Sequence, residues 1–245
     1  MRDDEAGVRR ASGQGLGRTP EPAHEAGRRD REPPVVSTIR NQRVLGIVRS
    51  ASADTARDIA VALWEAGLRT VEISVSTPGA IDAVAALAHE RSDPVLHVGA
   101  GTILDRVTAR AAVEAGADLL VSPIADPLVI AVGRDAGVPV LAGATTPMEA
   151  MTAMRAGASL VKLFPARALT PAIIADILQA LPDLPLVPVG GIAIEDVGAW
   201  LSAGAVAVGL GTALVGDGRR NLRARVSRLL TIATPQEPLT RQRLR

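Results

Sequence analysis

A chain of 245 residues, 47% apolar and 22% charged with a net charge of +1, is long enough to bury a large single core. Cysteine is absent, which excludes disulfides, thiolate metal sites and a cysteine nucleophile. One Phe, two Trp and no Tyr leave almost no platform for stacking single-stranded bases.

The charge is unevenly spread. Residues 1–43 carry 9 Arg against 7 acids and residues 217–245 carry 8 Arg against 2, whereas residues 44–216 carry 9 Arg and one Lys against 17 acids. An acidic body argues against a nucleic-acid partner. No apolar run reaches the roughly 20 residues of a membrane span, and the Arg- and acid-rich start does not read as a signal peptide, so a cytoplasmic protein without membrane contact is expected. Three scattered His form no ligand cluster, and neither a metal nor a cofactor is expected.

Residues 1–40 are rich in Arg, Glu, Asp, Gly and Pro without apolar periodicity, and disorder is expected there. From Val44 short apolar runs alternate with alanine-rich helical stretches, and an Ala-Gly pair recurs at 66–67, 115–116, 136–137, 156–157 and 203–204. Glycine just past a helix supplies a left-handed cap, and an apolar strand follows each pair within a few residues. The spacing predicts strands at 44–49, 70–75, 95–99, 118–121, 138–141, 159–164, 186–189 and 206–209. Helices are predicted at about 53–66, 78–91, 105–115, 126–136, 147–156, 171–181, 194–203 and 218–231. Thr146-Pro147 followed by Glu149 reads as a capping box with proline at the first helical position. Eight alternating units predict an α/β fold, a compact (β/α)8 TIM barrel over 41–232, with a flexible tail over 233–245. There is no GxGxxG fingerprint, which weakens a dinucleotide-binding alternative.

Among 27 cationic residues a single one, Lys162, is lysine, and it lies inside the apolar run Ala158–Pro165. A desolvated lysine can lose its proton and attack a carbonyl, which a guanidinium cannot do. A lysine snorkelling from a strand end is the plainer alternative. Alternation along the strands turns Lys162, Glu72 and Arg49 into the barrel, either as working groups or as a structural ion network. Gly190-Gly191 after strand seven and Gly211-Thr212 after strand eight stand where such barrels bind phosphate, though turn chemistry alone would also place glycine there. Thr102, after the third strand, offers a hydroxyl to a ligand.

The segments GIVR (46–49), VEIS (71–74), GAGTIL (99–104), SP (122–123), VKLFPA (161–166), PVGGI (188–192) and GLGTAL (209–214) occur in one order along the chain. In this the stretch from Val44 to Gly216 resembles the 2-keto-3-deoxy-6-phosphogluconate (KDPG) aldolase family, with its 4-hydroxy-2-oxoglutarate and phosphogalactonate relatives. The resemblance implies a class I aldolase that cleaves a 2-keto-3-deoxy sugar acid to pyruvate and an aldehyde such as glyceraldehyde 3-phosphate. It implies Lys162 as the Schiff-base residue and Glu72 as proton shuttle. Arg49, Thr102, Pro123 and Phe164 would shape the keto-acid pocket, and Gly190, Gly191, Gly211 and Thr212 would hold a distal phosphate. It also implies a homotrimer. Three positions depart from the family pattern: Ser76 where many members have Arg, Arg167 where Glu is common, and Val189 where Thr is common. An unphosphorylated substrate, a phosphate-binding isomerase or synthase using Glu72 as base, and a silent sugar-phosphate binder remain as alternatives.

Overall fold

Runs rich in Val, Leu and Ile suit the pleat of a buried strand. In the computed structural model, which describes residues 32–216 and 220–234, they form β1 Val44–Val48, β2 Thr70–Ser74, β3 His97–Gly101, β4 Leu119–Val121, β5 Val140–Ala144, β6 Leu160–Leu163, β7 Leu186–Pro188 and β8 Val208–Leu210. The strands pair in parallel in the order β7-β6-β5-β4-β3-β2-β1-β8. A bridge between Val189 and Gly209, with the Val206 amide donating to the Leu186 carbonyl at 2.9 Å, joins the two ends into a barrel. Around it run α1 Pro34–Gln42, α2 Ala53–Glu65, α3 Ala80–Glu90, α4 Arg106–Glu114, α5 Pro127–Ala136, α6 Pro147–Ala156, α7 Ala172–Ala180, α8 Val197–Ser202, α9 Thr212–Val215 and α10 Leu222–Ala233. None of the described helices is long and apolar enough to cross a membrane.

The helix boundaries follow local chemistry. Ser52, Asp105, Asp126 and Thr146 accept amide hydrogens at the starts of α2, α4, α5 and α6, and Thr146 with Glu149 forms the predicted capping box. The glycines of the five Ala-Gly pairs named above hold positive φ, from 71° at Gly137 to 109° at Gly204.

Two apolar layers result. Val44, Val48, Val71, Ile73, Val161 and Leu163 pack outward against the helices, whereas Leu45, Leu119, Leu141, Leu160 and Val187 fill the barrel axis. The predicted inward and outward faces of β1, β2 and β6 therefore hold.

Several boundaries differ from expectation. Residues 34–40, assigned above to the disordered extension, lie in α1, which buries Val35, Val36 and Ile39 against the axial cluster and closes the N-terminal mouth of the barrel. Its Gln42 side chain donates to the Gly67 carbonyl and accepts from the Arg69 amide, which pins the helix below β2. The remainder of that extension, residues 1–31, lies outside the described residues. At the other end Ala233, assigned to the tail, is a buried residue of α10, and residues 235–245 lie outside the description. β3 and β5 extend two to three residues further than predicted, because their glycines belong to the strands rather than to the turns after them. The predicted 194–203 helix begins as a 3-10 turn over Ile194–Asp196, and the predicted last helix is preceded by the short α9.

Candidate active site

The strand ends on the face opposite α1 carry the chemistry-bearing side chains. Lys162 is the third residue of β6 and is 5% exposed. Its register partners are Gly143 on β5 and Val187 on β7. Gly143 could carry no side chain, since a Cβ there would lie 2.0 Å from the Pro123 carbonyl oxygen. Lys162 Nζ stands 5.3 Å from the centroid of the Phe164 ring, within cation–π reach. The ring rests in turn on Gly190, where a Cβ would come within 3.1 Å of it.

Glu72, at the centre of β2, is 1% exposed. Its carboxyl group lies over the inner face of Gly101 on β3. Burial raises the Glu72 carboxyl above the usual carboxylate range, and the charges of Lys162 and then Arg49 oppose that rise. The Glu72 carboxyl therefore feels both cations, Lys162 buried beside it on the barrel interior and Arg49 from further out. Among the described residues Oε2 of Glu72 has no hydrogen-bond partner. Arg49 stands just past β1 and is exposed.

Thr102 follows β3 with φ of 63°, an uncommon conformation for a β-branched residue. Its hydroxyl is 2.8 Å from the Ser74 hydroxyl, which is 2.9 Å from that of Ser76. The strained residue is thereby tied to the strand that carries Glu72. Pro123 is half-buried and lines a depression with Ile124, Gly143, Met148 and Thr152, its carbonyl packed against Gly143, the register partner of Lys162.

Beyond Phe164, a cavity of about 230 Å³ opens between the ends of β7 and β8. Gly191, Gly211 and Thr212 line it, as does Arg167, whereas Gly190 stands beneath the Phe164 ring. Sequence reading noted Arg167 as a departure from a family pattern with a bearing on the entrance or the substrate preference, and missed both its place in this cavity and the seat that Gly101 provides for Glu72. The one signal for the latter was the repeated glycine of GAGT, which runs past the predicted end of the third strand.

The model of the KDPG and KHG aldolase family matches residues 35–229, from the first turn of α1 to the last turns of α10. The chain belongs to this family. It is 33% identical over 177 residues to the 2-dehydro-3-deoxy-6-phosphogalactonate aldolase of Escherichia coli K12, covering 72% of this chain and 86% of that one. It is likewise 33% identical over 164 residues to the 2-dehydro-3-deoxy-phosphogluconate aldolase of Pseudomonas aeruginosa, covering 66% of this chain and 74% of the other. The solved native KDPGal structure superimposes with a TM-score of 0.72 at 29% identity, covering 77% of this chain and 93% of its own. The family's match spans all eight strands, so the two glycine turns and the lysine strand fall within it.

Proposed function

We propose that this protein is a class I aldolase that cleaves a phosphorylated 2-keto-3-deoxy sugar acid into pyruvate and a phosphorylated aldehyde, with Lys162 as the imine-forming residue. The observation that carries the reading is the chain's sole lysine, buried inside the barrel at the end of a strand and facing a buried carboxyl with an unpartnered oxygen.

The neutral amine of Lys162 attacks the C2 keto carbon, and proton transfers through Glu72 turn the carbinolamine into an iminium with loss of water. Glu72 then takes the proton of the C4 hydroxyl. As the C4 carbonyl forms, the C3–C4 bond breaks and its electron pair moves into the iminium, giving an enamine and free aldehyde. Protonation at C3 and hydrolysis release pyruvate and the amine. A protonated imine accepts that electron pair far more readily than a ketone, which is why the step needs a lysine. Arg49 faces the substrate carboxylate, and Thr102, Pro123 and Phe164 bound the keto-acid pocket. The distal phosphate lies between the Gly190-Gly191 and Gly211-Thr212 turns.

Borohydride reduction in the presence of pyruvate tests the reading, with intact mass and peptide mapping as the readout. An adduct on Lys162, absent from Lys162→Arg, is expected. No adduct on folded protein in excess pyruvate would favour a barrel in which Lys162 acts only through its charge.

The assembly proposed is a homotrimer. Leu104, Val107, Ile124, Leu128 and Met148 are between 48% and 73% exposed, and all lie in the connections from β3, β4 and β5 to the first turns of α4, α5 and α6. Apolar exposure concentrated on one side of the barrel supports contact with further copies of the chain. A phosphorylated substrate does not cross membranes unaided, which supports a cytoplasmic enzyme.

A further inference from the structure

We infer that Arg167 is a specificity-determining residue that recognises a distal phosphomonoester on the substrate and sets the preference for phosphorylated over unphosphorylated aldehydes. The inference rests on the aldolase reading and deepens it.

Arg167 lies on the 3-10 turn Ala166–Ala168 that follows the lysine strand. Two backbone bonds hold this turn to the end of β7: the Ala166 amide donates to the Val189 carbonyl and the Arg167 amide to the Gly190 carbonyl, both at 2.8 Å. The side chain then lies across Gly191. A Cβ on Gly191 would fall 2.7 Å from Nε and 3.1 Å from Nη2, so only glycine leaves the guanidinium room there. Gly191 also holds φ of 78°.

Among the described residues the Arg167 guanidinium has neither a hydrogen-bond nor an ion-pair partner. Glu195, the nearest acid along the following loop, is paired with Arg228 at 2.8 Å. Among the described residues no acid lines the cavity that Arg167 borders, and Thr212 supplies the only hydroxyl side chain in its wall. Val189, at the end of β7, offers no hydroxyl and packs on Gly209. A free planar fork over a glycine backbone fits the two oxygens of a phosphate edge. The Phe164 ring links the two ends of the site, touching Lys162 Nζ on one side and Gly190 on the other. One extended substrate can therefore reach from the imine to the guanidinium.

The test runs the enzyme in the condensation direction, with pyruvate and either glyceraldehyde 3-phosphate or glyceraldehyde, so that the assay does not depend on the C4 configuration of the sugar acid. In Arg167→Ala, KM for the phosphorylated aldehyde should rise by about ten- to a hundredfold, the range expected on losing a charge-assisted contact, so that the preference ratio collapses. Competitive inhibition by inorganic phosphate should weaken in parallel. Arg167→Lys, which keeps the charge and loses the fork, should fall between the two. An unchanged preference ratio, or equal losses on both aldehydes, would overturn the assignment. Borohydride trapping of pyruvate on the same preparations separates the two readings. If wild type forms no adduct, the aldolase reading fails and this assignment with it. If both proteins form the adduct and the preference persists, only the role of Arg167 fails.

Discussion

The carboxyl of Glu72 occupies the space in which a side chain on Gly101 would begin: a Cβ there would lie 1.6 Å from Oε1 and 2.2 Å from Cδ. Two neighbouring strands thus share one position, the second giving up its side chain so that the first can project a buried acid. Gly101→Ala is expected to push the carboxyl off its seat and lower kcat by about a hundredfold, at the lower end of what a misplaced general acid–base costs. Pyruvate trapping on Lys162 should persist in that variant. Wild-type kcat with the methyl group in place would show that the carboxyl position is immaterial.

Glu72 also links stability to pH. Its carboxyl is held above the ordinary value of 4.5, mainly by burial, so the folded protein binds this proton more tightly than the unfolded chain does. The favourable contribution is complete below the unfolded value and is lost as pH rises through the folded one. Glu72→Gln should therefore gain stability relative to wild type progressively as pH increases from acid towards neutral, while turnover falls by about two to four orders of magnitude. Denaturant titrations of both proteins across that range give the sign. A stability difference independent of pH would remove the linkage.

Asp118 behaves in the opposite sense. Burial raises its carboxyl, but His97, Arg91 and the Val98 amide together outweigh burial and leave it below 3.8. Direct hydrogen bonds come from Arg91 and from Val98, whose amide donates at 2.9 Å, while His97 Nδ1 stands 3.8 Å away. This contribution is present above the unfolded value and is lost as pH falls through the folded one. Asp118→Asn should flatten the acid limb of the stability curve below about pH 4. Thermal melts between strongly acidic and neutral pH would show whether that limb survives the substitution.

Ile39 is fully buried where α1 closes the barrel. Ile39→Ala should cost about 2–5 kcal/mol, the range for emptying a well-packed aliphatic site, without changing the preference among aldehydes. A loss below that range in urea unfolding would mean that the helix packs as a loose lid rather than as part of the core.

Much of the barrel was legible because its signals are local and repeated. Each of the five Ala-Gly pairs named above ends a helix by backbone geometry alone, and the lysine in an apolar strand reveals its face through alternation. α1 was not legible: its three buried residues, Val35, Val36 and Ile39, give a single apolar stripe within a charged stretch, and only the axial cluster makes that stripe useful. Gly101 and Gly143 fell beyond the predicted ends of their strands because glycine has the same letter whether it bends a chain or makes way for a neighbour. Arg167 posed a related difficulty. Its meaning depends on lying across Gly191, 24 positions further along, and nothing in the local sequence encodes that approach.

The closure between β7 and β8 rests on one bridge, at Val189 and Gly209, and one amide–carbonyl bond, whereas the other adjacent strands pair over two to five residues. That seam runs directly beneath the cavity bordered by Gly191 and Gly211. An anion bound there, as proposed above, would touch both rims and clasp the least fastened joint of the barrel. Its protective effect on amide exchange should be strongest along the two strands it spans rather than spread evenly through the fold, so that the contact proposed to select a substrate would also complete the ring that holds it.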